Sequence, residues 1–164
     1  MPKGDIQNHE KTCDYHAFLD CPGIRCGAKV SRVRHQHLNS CAGISTGRFS
    51  DFGQPIAFEW PNDVKDFCIR LKTEEGHLFF LSLDSKSNDS IMLVREFNSH
   101  RIFKNCSIDI KITITGSQSS RAYRGVTVPL NKVANEALDD GNAISVGRAF
   151  ISNRALVTLC IDRT

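Results

Sequence analysis

Thiols and imidazoles crowd into residues 9 to 41, HEKTCDYHAFLDCPGIRCGAKVSRVRHQHLNSC, which hold four of the chain's seven cysteines and four of its six histidines. In a reducing compartment that combination points to metal before disulfides. Cys21 and Cys26 flank Pro-Gly-Ile-Arg, a turn that can bring two thiolates back to one point. His37 and Cys41 follow at the spacing of one helical turn, which would put both side chains on one face. The set Cys21, Cys26, His37 and Cys41 therefore offers three thiolates and an imidazole. Zinc takes such donors in a closed tetrahedron, so the expected site is structural and leaves no position for a substrate. His35 is the rival third ligand, but its spacing to Cys41 leaves it off that face. A disulfide inside residues 13–41 is the competing account, and it belongs to an oxidising compartment.

A second half-motif lies upstream. His9 and Cys13 repeat the one-turn spacing, yet residues 1–8, MPKGDIQN, hold no cysteine or histidine to open a finger. Either one finger has been lost, or the pair is a relic, or His16 and an aspartate complete a poorer site; unligated surface residues are the plain alternative. The remaining cysteines, Cys68, Cys106 and Cys160, sit in the apolar stretches DFCIRL, NCSIDI and TLCID and are expected in the core.

The elements that must position this cluster read as β-structure. Residues 64–84, VKDFCIRLKTEEGHLFFLSLD, are two apolar runs around Glu74-Glu75-Gly76, a hairpin signal. SIMLVREF follows, and then Ile108, Ile110, Ile112 and Ile114 alternate with polar residues as in a half-buried strand. YRGVTVPL, AISVGRAFI and ALVTLCID add three more strands. LNKVANEALDDG reads as one short helix, with Leu130, Val133, Ala134, Ala137 and Leu138 on one side and Gly141 as its stop. Many short strands with few helices argue for an antiparallel β-sandwich. The chain thus divides into a zinc-binding region over residues 1–43 and a sandwich over 44–164. Between them AGISTGRFSDFGQPIAFEWPN is a loop or irregular strand whose Phe49, Phe52, Phe58 and Trp60 are expected to pack on the sandwich.

HEKTC, then CPGIRC, then HQHLNSC resembles the paired fingers of the seven-in-absentia (Siah, Sina) ubiquitin-ligase family. There a His-x3-Cys closes the first finger and a Cys-Pro-Gly-x-x-Cys opens the second. The resemblance implies that Cys21, Cys26, His37 and Cys41 are the second finger's zinc ligands, and His9 and Cys13 the last two of the first. It further implies a TRAF-like sandwich that dimerises and captures protein segments for ubiquitin-dependent proteasomal degradation. Strand pattern, LFFLSLD and the ending DGNAISVGRAFISNRALVTLCID carry the C-terminal part of the likeness. The family's catalytic activity resides in a RING, which needs eight zinc ligands, and these 164 residues hold no such array. Autonomous ligase activity is therefore not expected. The module would act with a RING-bearing relative as heterodimer partner, or sequester substrates as a competitor.

Composition bounds the remaining classes. With 40 % hydrophobic and 24 % charged residues the chain is globular, and its net charge of +3 gives no strong pull toward nucleic acid or membrane. No H-E-x-x-H or Walker glycine loop is present. Without an apolar h-region at the N-terminus or a membrane-length apolar run, a cytosolic or nuclear setting is expected. Arg25, Lys29, Arg32, Arg34 and His35 form a basic stretch that supports a second class, a nucleic-acid-binding finger. One short finger offers little contact area for that role.

Overall fold

The structure, a computed structural model, describes residues 18–49, 51–60, 66–84, 90–98, 105–116, 119–147 and 154–163. His9, Cys13 and His16 lie outside them. The strands are β1 (Leu19–Asp20), β2 (Lys29–Val30), β3 (Ser45–Thr46), β4 (Ile56–Trp60), β5 (Phe67–Lys72), β6 (Leu78–Asp84), β7 (Ser90–Phe97), β8 (Ser107–Ile114), β9 (Ser120–Val126), β10 (Val128–Pro129), β11 (Ile144–Val146) and β12 (Ala155–Asp162). One 3-10 turn (Gln36–Asn39) and one α-helix, α1 (Ala134–Asp139), complete the described residues.

The strands form three sheets: the ribbon β1–β2, a larger sheet ordered β10-β7-β6-β5-β3, and the antiparallel sheet β4-β12-β8-β9. The sheets are antiparallel, as expected, apart from two short pairings of the larger one, β3 with β5 and β10 with β7, which are parallel. They arise because β3 and β10 are two-residue pieces of connecting chain laid along a strand already paired on its other edge. β11 shares that same edge of β7, pairing antiparallel at Ser90–Met92 while β10 pairs at Arg95–Glu96.

The two larger sheets close over one core. Ile108, Ile110 and Ile112 of β8 and Ala155, Val157, Leu159 and Ile161 of β12 meet Leu71, Phe79, Leu81, Leu83, Met92 and Val94 from the other sheet. The isoleucine alternation of β8 is the inward face of a strand whose other face meets water. β6 and β7 do not alternate, because they are buried on both sides. Their outward residues Leu78, Phe80 and Phe97, with Cys68, meet Cys21, Val30, Leu38, Cys41 and Ile44, while Ile91 and Leu93 lie under Ala134 and Ala137 of α1. Residues on both sides of position 43 thus share one apolar cluster.

Phe49, Phe52, Ile56 and Phe58 pack against the main core, and β3 and β4 draw their segment into both large sheets. The 67–84 hairpin turns through Gly76, at φ 86°. Two expectations fail. Val133 is 54 % exposed because it caps α1 from an extended conformation instead of lying on its apolar side. Cys160 is half-buried on the outer face of β12, because the strand's inward positions are the odd-numbered ones, Ala155 to Ile161.

The two flanks of the paired sheets differ. On one, Arg121 of β9 donates through Nη1 to the Ser145 carbonyl at 2.6 Å, and the Tyr123 hydroxyl donates to the Gly141 carbonyl at 2.6 Å, tying the two sheets together. On the other flank β4 is an edge, and β3 covers β5 at Ile69 and Arg70 alone.

Candidate metal centre

The first arm grows out of the β1–β2 ribbon, in which Leu19 faces Val30 and Asp20 faces Lys29. Cys21 N–H donates to the Ala28 carbonyl at 3.0 Å, continuing the ladder and fixing where the loop begins. Within the loop Cys26 N–H donates to the Gly23 carbonyl at 3.1 Å, and Arg25 adopts the left-handed region at φ 56°. Both thiols are thereby turned inward. A Cβ on Gly23 would lie 2.7 Å from Cys41 Sγ, and one on Gly43 would lie 2.6 Å from the Ile24 carbonyl oxygen. Those two glycines let the arms approach, and Ile24 N–H donates to the Gly43 carbonyl at 3.0 Å across the gap.

The second arm is shaped by a Ser31–Arg34 turn, closed by Arg34 N–H on the Ser31 carbonyl and hydroxyl, both at 3.1 Å. His35 donates from Nδ1 to the Arg32 carbonyl at 2.9 Å, and its ring lies 5.5 Å from that of Phe97. His35 is therefore held against the sheet, and the rival third ligand stays out of the cluster. Leu38 is fully buried and anchors the arm. The expected shared helical face of His37 and Cys41 is not found: the 3-10 turn ends at Asn39, and Ser40 at φ −131° turns the chain. That bend, and no continuous helix, aims both side chains at one point.

Cys21, Cys26, His37 and Cys41 do come together, with one donor atom of each lying within 4.8 Å of all the others. The Cys26 sulfur is 3.2 Å from His37 Nε2. A tetrahedral ion with metal–sulfur bonds of about 2.3 Å needs donors about 3.8 Å apart, so the spread of distances accommodates one. The chemistry of the donors agrees. Burial pushes the Cys21 thiol up to about 12, helped by its bonds to Cys41 and Cys26, although the Gly23 N–H pulls the other way. The Ala28 N–H and the His37 ring hold Cys26 down at about 7. Cys26 is thus poised as a thiolate, and a divalent cation at the centroid would offset the burial that disfavours the Cys21 thiolate. The four residues can thus hold a metal ion; among the described residues none of the remaining cysteines joins them and no disulfide forms.

Residues that motif spacing does not reveal complete the surroundings. Arg70 of β5 donates through Nη1 to the Leu38 carbonyl at 2.7 Å and through Nη2 to Thr46 Oγ1 at 2.8 Å, gripping the chain on both sides of Cys41. Cys68 lies behind the centre, its thiol pushed up to about 11 by burial and bonded to Ser82. Lys29 of the basic stretch is paired with Asp20. No helix among the described residues is long and apolar enough to cross a membrane. Compared with known proteins, the chain matches no family model and no curated sequence.

Proposed function

We propose that the chain is a zinc-ordered peptide-binding module of the seven-in-absentia kind. In this reading Cys21, Cys26, His37 and Cys41 hold zinc, the paired sheets form a TRAF-like sandwich, and the sandwich recruits protein segments for ubiquitin-dependent degradation. The closed, tetrahedral nature of a three-thiolate, one-imidazole set supports zinc in a structural role.

The observation that carries the reading is the open flank. There Phe58 of β4, Phe67 and Ile69 of β5, and Val157 line a cleft of about 450 Å³, with Ile24 of the metal arm at one end. An extended segment laid between two sheet edges gains main-chain hydrogen bonds for affinity and side-chain pockets for specificity. The opposite flank is bridged between the sheets by the Arg121 and Tyr123 hydrogen bonds. Ligase chemistry would come from a RING-bearing partner, and a module without one would act as a competitor for the same segments. The nucleic-acid reading draws less support, because Lys29 is paired, His35 is packed on Phe97, and the one helical turn among the arm's described residues spans four residues.

The test is a peptide-array screen with the zinc-loaded chain, followed by binding isotherms at two salt concentrations. Saturable binding that is insensitive to salt and lost in Ala42→Trp, which fills the cleft from an exposed position, supports the module. Absence of any selected peptide, or affinity for an oligonucleotide that falls steeply with salt, refutes it.

A further inference from the structure

A second cleft, of about 570 Å³, lies between the Pro22–Cys26 loop and the 130–135 segment that leads into α1, with β6 and β7 as its floor. Arg95 of β7 points into it. Its Nε and Nη2 both donate to a single acceptor, the Lys132 carbonyl, at 3.2 and 3.0 Å. No carboxylate lies within ion-pairing distance of Arg95 among the described residues; every ion pair there uses other partners. Burial disfavours its charged form, with Cys68 and Asp84 opposing that only at longer range. A half-buried guanidinium gains from an anion beside it, since a partly desolvated charge left unpaired is costly. Here the place for that anion is open cleft.

We propose that Arg95 is the receptor for a single carboxylate, presented as an aspartate or glutamate side chain by the peptide on the open flank. The inference rests on the peptide-binding reading for its source of the carboxylate, because Ile24, Asp66 and Phe67 line both clefts and set them side by side. Charge selects within the anions. One guanidinium balances one negative charge, so a monoanion is favoured over a phosphate dianion. A planar carboxylate also matches the guanidinium fork. The Pro22–Cys26 loop is one wall, so the receptor exists only when the metal arm is folded.

The experiment follows the Arg95 Nε–Hε signal in ¹H–¹⁵N spectra of the zinc-loaded chain, assigned by its loss in Arg95→Lys. N-acetyl-glutamate amide, N-acetyl-glutamine amide and inorganic phosphate are the probes. A saturable shift with the glutamate probe, absent with glutamine and weaker with phosphate, supports the receptor. Equal shifts with glutamate and glutamine, or none with glutamate, overturn it. In a second arm, peptides selected by the screen should share one acidic position whose change to the amide weakens binding about tenfold to a hundredfold in the wild-type chain. That change should have no effect in Arg95→Met. Selected peptides without an acidic preference overturn the peptide as source. A glutamate-dependent shift in a chain that selects no peptide upholds the carboxylate receptor with a free carboxylate as its ligand, and separates its fate from the peptide reading.

Discussion

Arg70 and Leu38 are joined by a 2.7 Å hydrogen bond from a guanidinium on the sheet to a backbone carbonyl between His37 and Cys41 of the candidate metal centre. The same side chain reaches Thr46 on the far side of Cys41, so one fork spans the arm. Outer-shell contacts of this kind typically change metal affinity 10–100-fold. Arg70→Met should therefore weaken zinc roughly tenfold in chelator competition, with Arg70→Lys recovering charge but not the fork. Unchanged affinity in both variants would remove the fork from the account.

Gly23→Ala should abolish stoichiometric metal binding, because its Cβ would lie 2.7 Å from the Cys41 sulfur, inside the closest approach such atoms make. Gly27→Ala in the same loop meets nothing within 4 Å and should bind normally, with stability changed by about 0.5 kcal/mol or less. Metal counted by native mass spectrometry decides. Equal loading of the two variants would refute the close-approach argument.

Stripping the metal should lower the melting temperature of the whole chain. Cys21, Val30, Leu38, Cys41 and Ile44 share a cluster with Leu78, Phe80 and Phe97, so the arm and the sheet stabilise each other. Calorimetry with and without excess chelator should show one transition moving down, and Cys26→Ser should reproduce the stripped curve. A sheet transition that stays in place would mean the arm is an appendage.

Glu96 sits 3 % exposed at the end of β7, where it accepts from His77 Nε2 at 2.8 Å and from the Thr127 hydroxyl at 2.8 Å. Thr127 in turn accepts the Cys106 N–H, also at 2.8 Å. The same carboxylate, after burial itself, pushes the Cys106 thiol up to about 12. Removing a buried acceptor leaves the His77 and Thr127 donors without a partner, at a cost of about 1–3 kcal/mol. Glu96→Ala should reach that range in urea unfolding, while a loss under about 1 kcal/mol would show that water replaces the network.

Much of this was readable in the chain itself, and the readable parts share a cause. The β8 isoleucines, the Glu74–Gly76 turn and the Cys21–Cys26 loop are local patterns, and local sterics decide them. The failures come from packing at a distance. Cys160 has apolar neighbours in sequence yet faces outward, since strand parity and not local composition selects its side. Val133 has the spacing of an apolar helix side but stands one residue before the helix begins. Arg70 and Arg95 carry no signal at all, because an arginine in a strand looks like any solvent-facing charge until the layer above it is known.

That upper layer has a further consequence for the fate of the chain in a crowded solution. With the metal arm in place, Leu78, Phe80 and Phe97 are covered; when the arm lifts, they become a contiguous sticky strip on an otherwise well-paired sheet. Metal starvation would then convert a monodisperse chain into one that self-associates through β6 and β7, and light scattering would register scarcity of the ion as turbidity well before the strands themselves come apart.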